Sequence, residues 1–306
     1  MTVPINEKRV YRMNNAWIEK WSVAVFAHNE ADNIVRCLTS ILMQNITMNF
    51  PIHVLANGCT DRTVQLVEAL AKVNPSIKLF NIEVPDKANS WNYYTHKVAP
   101  ESECHFFIDG DVVIEPMAFN ELYKSLTCSN EAVAAGGLPA SGRSCAAWSH
   151  RMVSMGRLAG SLYLLHGDFL ESIREQEIHI PIGFVGEDFY ITCLAKGQLN
   201  LNGINISSPR VVFNPRALFS FESLSPRNPK HWWAYFSRLV RYQIREYQLL
   251  MLFFFMYGKT QQEIPPDVQT LYRGVEQLPR YRWRGRITPV DIIAVWKIRN
   301  AIGNWV

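Results

Sequence analysis

Apolar residues follow two alternating rhythms along the first two thirds of the chain. Short apolar runs at 22–27 (SVAVFA), 52–56 (IHVLA), 77–82 (IKLFNI) and 105–108 (HFFI) have the length of strands buried on both faces. Between them, Ile34, Leu38, Ile41 and Leu42 fall on one helical face within 31–44. Val64, Leu66, Val67 and Leu70 mark a second helix, and 90–98 a third. Strands alternating with helices predict an α/β fold, a mostly parallel sheet flanked by helices on both faces, with its binding crevice at the carboxyl ends of the strands. The polar loops at 28–30, 57–61, 85–87 and 109–111 all fall on that edge.

Further on, 132–135 reads as a strand entering the Gly136-Gly137-Leu138-Pro139 turn, 148–158 as a helix, 160–165 as a strand and 169–176 as a polar helix. The stretch 181–188 opens another helix over 189–196, and 211–213 closes the sheet. Past residue 225 the texture changes. A long helix starts near His231, places Arg238, Arg241 and Arg245 along one face, and runs into LLMLFFFMY at 249–257. RYRWRGR at 280–286 alternates base and ring, and an amphipathic helix covers 289–300. The pattern divides the chain into a lead-in over 1–20, an α/β domain over 21–225 and a basic, aromatic-rich helical C-terminal extension over 226–306.

Charge sharpens that division. Residues 226–306 carry 13 Lys+Arg against 5 Asp+Glu, whereas 1–225 carry 18 against 22, so the net +4 hides a basic C-terminal part. Such a block faces phosphates or acidic lipid, or is a solvated face. The six cysteines are scattered with no C-x-x-C, as expected of reduced thiols. The N-terminus lacks the apolar core of a signal peptide, and 249–257 is too short to span a bilayer as a helix. A cytoplasmic protein is expected, with a peripheral location at the inner face of the membrane as the further reading of the basic part.

The candidate chemistry lies at Asp109-Gly110-Asp111. Two carboxylates one residue apart at a strand end, with a glycine that lets the backbone approach a ligand, suit a hard divalent cation and a diphosphate. A tight turn that uses Asp and Gly for its geometry is the other reading. Neither G-x-G-x-x-G after the first strand nor G-x-x-x-x-G-K-[ST] occurs, which argues against dinucleotide oxidoreductases and P-loop enzymes. Metal-bound carboxylates would then neutralise the phosphates. Glu187-Asp188 is either a second catalytic pair or a helix N-terminus using the dipole.

SVAVFAHNEADNIVRCLTSIL, VLANGCTDRT, DKANSWNYY, FFIDGDVVI and GEDFYIT, in that order, together resemble the family-2 glycosyltransferases of the GT-A fold. The resemblance runs from Ser22 to about Lys196. It implies an inverting, metal-dependent glycosyltransferase that moves a single sugar from a nucleotide-sugar donor to an acceptor nucleophile. On that likeness Asp111 is the main ligand of Mn2+ or Mg2+, Asp109 binds metal or ribose, Asp188 is the general base, and Glu187 orients it or touches the acceptor. Ala27, His28, Glu30, Asn57, Lys87, Asn92, Asp109 and Gly110 would line the nucleotide site. His166, Gly186, Arg238 and Arg241 would face substrate.

Two departures stand out. The acidic pair usual in the second loop is Ala56-Asn57 here, which leaves UDP-sugar as the default donor with the base open; the Q-x-x-R-W motif of processive members is missing, its nearest counterpart being 238–242 (RLVRY). A sugar nucleotidyltransferase is the alternative enzyme, although FAHNEADN lacks the Gly-rich basic loop that reading needs. A non-catalytic membrane-associated protein retaining the fold is the alternative of another class. The acceptor stays open among lipid, saccharide, peptide and small molecule. For RYRWRGR an anionic membrane surface fits better than nucleic acid, which is an unlikely partner.

Overall fold

The computed structural model describes residues 19–44, 50–142, 144–222, 229, 232–276, 278–281, 283 and 285–303. The lead-in expected over 1–20 falls almost wholly outside the described residues. So do the boundary expected at 225, His231, Arg282 and Arg284.

Strands β1 (Glu19–Ala27), β2 (Ile52–Asn57), β3 (Ile77–Ile82) and β4 (Ser102–Asp109) lie parallel in the order β3-β2-β1-β4. Val25 pairs with Val54 on one side and Ile108 on the other. The sheet continues through β7 (Leu162–His166), β6 (Ala134–Pro139), β8 (Val211–Phe221) and the short β5 (Val112–Ile114). In this half β7 is antiparallel to both neighbours, β6 and β8 are parallel, and β5 is antiparallel to β8. The expected closing strand over 211–213 is longer than its apolar run suggested. It continues past Pro215, and the register with β6 jumps between Gly136 and Leu138, the kind of irregularity at which a strand tolerates proline.

Alternate residues of β1 enter two different cores, the mark of a sheet covered on both faces. Val23, Val25 and Ala27 pack with Val54, Phe106 and Ile108 under α1 (Ile34–Leu42), α2 (Thr63–Val73) and α4 (Ala118–Thr127). Ala24 and Phe26 face the opposite side with Leu55, Phe107, Trp91 and Tyr163, beneath α3 (Lys87–Tyr93), α6 (Gly167–Glu175) and α7 (Glu187–Lys196). Each such large apolar side chain contributes about 1.5–3 kcal/mol when fully buried. Phe107 stacks on Tyr163 at 4.8 Å and on Trp91 at 5.9 Å, and Trp91 Nε1 donates to the Tyr163 hydroxyl at 3.0 Å. The polar end of the tryptophan is thus satisfied inside the core.

Helix α3 runs into a wider π turn, Tyr94–Val98, where Arg174 of α6 donates to the Thr95 and Ala99 carbonyls. A side chain that takes up backbone carbonyls is a known cause of such widening. The C-terminal helices α8 (Trp232–Met256), α9 (Val268–Gly274) and α10 (Thr288–Gly303) complete the second core with Leu249, Leu252, Met256, Leu271 and Ile298. The apolar run at the end of α8 therefore turns partly inward. Among the described residues no helix is long and apolar enough to cross a membrane.

Candidate active site

Each strand of the parallel run ends in a loop on one edge, and those loops are laced together. After β1, Asn29 takes a left-handed backbone (φ 55) that turns the chain, and its Oδ1 accepts from Thr60 N at 2.8 Å. His28 Nδ1 donates to the Asn57 carbonyl at 2.6 Å, and Asn57 Oδ1 accepts from Asp86 N at 2.7 Å. Asp86 caps α3 through Asn89 N (2.6 Å) and reaches Gly183 N (2.9 Å) in the loop before the second acidic motif. Gly110 N donates to Phe26 O at 2.8 Å, which fixes the Asp-Gly-Asp turn against the end of β1 and beside the buried Ala27.

The centre of this edge is one ammonium among carboxylates. Lys87 Nζ forms ion pairs with Asp109 and, at 2.6 Å, with Glu187 Oε1. Those pairs raise Lys87 well above its ordinary pKa, although burial alone would lower it. Burial would raise Glu187, but the Lys87 pair holds it below the usual range. Asp109 is pushed up to about 7 by burial, with Asp111 and Glu187 adding repulsion that Lys87 offsets only in part. Glu30 is raised as well, by burial first and then by Asp111 and Asp61, against a hydrogen bond from Asn33. Acidic groups outnumber the one lysine here.

Asp188 follows Glu187 at the start of α7 and faces a cavity of about 590 Å³. Burial and the adjacent Glu187 raise its pKa, while Arg157, Arg245 and Lys87 pull it down. Gly186, with φ 111, precedes the pair, and the stem of Arg245 lies over it. The preceding residues are held by Gln248 of α8: its Oε1 accepts from Val185 N (2.7 Å), and its Nε2 donates to Gly183 O (3.1 Å) and to the Tyr272 hydroxyl (2.7 Å). Arg238 lines the same cavity. Arg241 is exposed on α8, and its charge reaches Glu187.

Two expected site residues are placed elsewhere. His166 pairs with Cys104 at the amino-terminal end of β4, five residues from Asp109 and so about 16 Å away along the strand. It is buried, and its Nδ1 accepts from Asp168 N at 3.1 Å, at the start of α6. Antiparallel β7 carries its last residue to the far edge of the sheet, which a reading of consecutive loops missed. Asn92 is also buried, its amide spent on both backbone groups of Ile180 (Nδ2 to O 2.8 Å, Oδ1 from N 2.9 Å). It steadies the chain leading to the acidic motif.

Gly160 belongs to the site and was expected only as part of a strand. A Cβ there would stand 2.7 Å from Lys87 Nζ and 3.1 Å from Glu187 Oε1, so the lysine bridge occupies the space a side chain would need. Arg157 and Gln248 were not singled out either. Their roles depend on segments far apart in the chain, and no local motif marks them.

Among the described residues no three His, Cys, Asp or Glu side chains form a closed metal-ligand group. The donor set of Asp109 and Asp111 nevertheless fits a divalent cation. It offers hard oxygen ligands at a turn with an excess of negative charge, and a diphosphate would supply the further oxygens.

The parallel part of the sheet thus brings Asp109 and Asp111 to one edge, where a single lysine ties Asp109 to Glu187 of the second acidic pair. The family model for glycosyl transferase family 2 matches residues 22–185, more than half of the chain, and the chain belongs to this family. A search among curated proteins finds no match. Among solved structures, the mannosyltransferase PcManGT of Pyrobaculum calidifontis, in complex with GDP-Man and Mn2+, is similar at a TM-score of 0.56 and 16% identity, over 99% of this chain and 83% of that one. TarS 1-349 of S. aureus, in complex with UDP-GlcNAc, gives 0.53 and 14%, over 92% and 81%. The glucosyl-3-phosphoglycerate synthase of Mycobacterium tuberculosis, with Mn2+, UDP-Glc and phosphoglyceric acid, gives 0.50 and 16%, over 85% and 86%.

Proposed function

We propose that this family-2 glycosyltransferase is inverting and metal-dependent and transfers one sugar per encounter from a nucleotide sugar to an acceptor nucleophile. The observation that carries the reading is the Lys87 bridge, because it joins the Asp109 strand end to Glu187-Asp188 on one edge. Asp111 and Asp109 would hold Mn2+ or Mg2+, which when bound stabilises negative charge on the departing diphosphate. Ala27, His28, Glu30, Asn57 and Gly110 would shape the nucleotide pocket at the ends of β1, β2 and β4, and Lys87 would add positive charge beside the diphosphate. Asp188 takes the proton from the acceptor as it attacks the anomeric carbon opposite the leaving group, and burial with the adjacent Glu187 raises its pKa, which makes it a stronger base than an exposed carboxylate. Glu187, held by Lys87, orients that loop. Similar structures were solved with GDP-Man, UDP-GlcNAc and UDP-Glc, so a UDP-sugar is the default donor and a GDP-sugar the first competitor.

Thermal denaturation with a panel of nucleotide sugars tests the donor side. A ligand at a hundredfold excess over its dissociation constant should stabilise the fold by about 2.7 kcal/mol. Stabilisation that is the same without Mn2+ as with it would overturn the role given to Asp111. Proton NMR of the first product tests inversion, since retained anomeric configuration would rule it out.

For location we propose the cytoplasm, with the C-terminal helices resting on an anionic membrane. Phe254 (77% exposed), Tyr257 (85%) and Trp283 (85%) support this, lying in the basic part of the chain. Phe254→Ser and Trp283→Ser should reduce pelleting of the intact protein with acidic vesicles; unchanged pelleting would remove the membrane.

A further inference from the structure

The cavity in front of Asp188 is walled by α5 (Cys145–Met155), the turn at 157–159, the start of α7 and the face of α8. Its charged lining comprises Arg151, Arg157, Arg238 and Arg245 against Asp188 and Glu246. Asp109, Asp111 and Lys87 do not line it, so it is set apart from the diphosphate edge.

Two of these half-buried arginines each hold one nitrogen that is out of water and without a partner. Arg157 Nη2 and Arg245 Nε are buried with no hydrogen-bond partner, and among the described residues neither guanidinium has a carboxylate within ion-pair distance. Desolvated, unmatched donors of this kind are costly unless something fills their geometry. The two also repel one another, and burial with that repulsion lowers the pKa of Arg157. Each lies over a ring, Arg157 Cζ at 4.5 Å from Phe189 and Arg245 Cζ at 5.1 Å from Tyr242, an arrangement that leaves the N–H edges of a guanidinium free. The approach of Arg245 is built into the backbone: a Cβ on Gly186 would collide with Arg245 Cδ, so the left-handed glycine is what admits the arginine stem.

We infer that this cavity is the acceptor seat and that the acceptor carries an oxyanion, a phosphate or carboxylate group, bound by Arg157 and Arg245 with the attacking hydroxyl beside Asp188. The inference rests on the reading of Asp188 as the base. A planar guanidinium matches either oxyanion through two parallel hydrogen bonds, and the unpartnered nitrogens of the pair favour an acceptor that brings oxygens to them over a neutral one. Arg238 adds charge to the lining.

The test uses the intact protein and matched probes: glucose, glucose 1-phosphate, glucuronate, inorganic phosphate, and vesicles with or without a phosphatidate. Melting midpoint and calorimetric affinity are read for the parent and for Arg157→Gln and Arg245→Gln; UDP with Mn2+ serves as the donor-side control. The phosphate- and carboxylate-bearing probes should bind saturably and the neutral sugar should not. Each substitution should weaken the anionic probes by about tenfold or more, equivalent to about 1.4 kcal/mol, and leave the UDP response in place. Binding restricted to the soluble phosphates or to the vesicles assigns the source of the oxyanion. If neutral and anionic probes behave alike, or if the substitutions abolish the UDP response while sparing the anions, the inference fails. Should a glutamine variant not fold, Arg157→Lys and Arg238→Gln give the same reading through graded loss of anion affinity, and no loss in either counts against it. Loss of the UDP response in the parent, with the anion response kept, would instead overturn the donor reading.

Discussion

The two halves of the site are assembled in different ways. The edge proposed for the diphosphate is made by the ends of neighbouring strands, β2, β1 and β4, and its residues sit within a few positions of apolar runs. The cavity before Asp188, proposed as the acceptor seat, collects α5, the segment 157–159, α7 and α8, spread over about a hundred residues of chain. Topology secures the first, because a parallel sheet must bring its carboxyl ends together. Specific side-chain contacts, chiefly Lys87 and Gln248, secure the second and join it to the first.

The sharpest separation of the halves is expected from Asp188→Asn. Transfer should fall about 10²- to 10⁴-fold while nucleotide affinity with Mn2+ persists. Parallel kinetics and calorimetry check it, and equal losses in both would merge the two regions. Lys87→Met attacks the link: it leaves Asp109 and Glu187 facing each other uncompensated, and urea denaturation should show a loss of about 1–3 kcal/mol. Gly160→Ala crowds the same lysine from the other side. It should cost about 1–3 kcal/mol by overpacking, and a double variant with Lys87→Met should be much less than additive. Gln248→Ala should lose about 1–3 kcal/mol by stranding Val185 N and Gly183 O, with transfer reduced more than nucleotide binding.

The mildest effect expected is on pH dependence. His53 is lowered to about 4 and His105 to about 3, in both cases by burial first, and both belong to a polar cluster with Ser22 and Tyr94 below the active edge. Between those values and the ordinary histidine pKa near 6.5 the unfolded chain binds protons that the native state does not. The contribution of these two histidines to stability should therefore decline as pH falls from about 7 toward 4, against the opposite contribution of Asp109, whose raised pKa favours the folded state over the same range. His105→Gln should flatten that decline in a melting series across this range, with the UDP response unaltered at neutral pH.

How far the sequence revealed this molecule follows the same division. The buried runs of β1, β2 and β4 lack alternation and are bounded by polar loops, so their pairing and the edge they form could be read directly. The order of the second half could not, because β7 turns antiparallel and reverses the sense in which a following residue lies near or far from the edge. His166 is the casualty of that reversal: its position after a strand pointed to the site, and the strand direction takes it away. Asn92 fell in a segment that matches the family pattern, yet its amide closes on Ile180. Gly160 and Arg157 gave no local signal, since a glycine before a strand and an arginine after a helix are ordinary in either role.

Gln248 carries a consequence for engineering. Because a side chain of α8 grips the backbone just ahead of Glu187-Asp188, replacing the C-terminal helices with those of another transferase would reset the seat of the proposed base along with whatever those helices recognise. Choice of acceptor and efficiency of proton removal would be inherited together, as one unit.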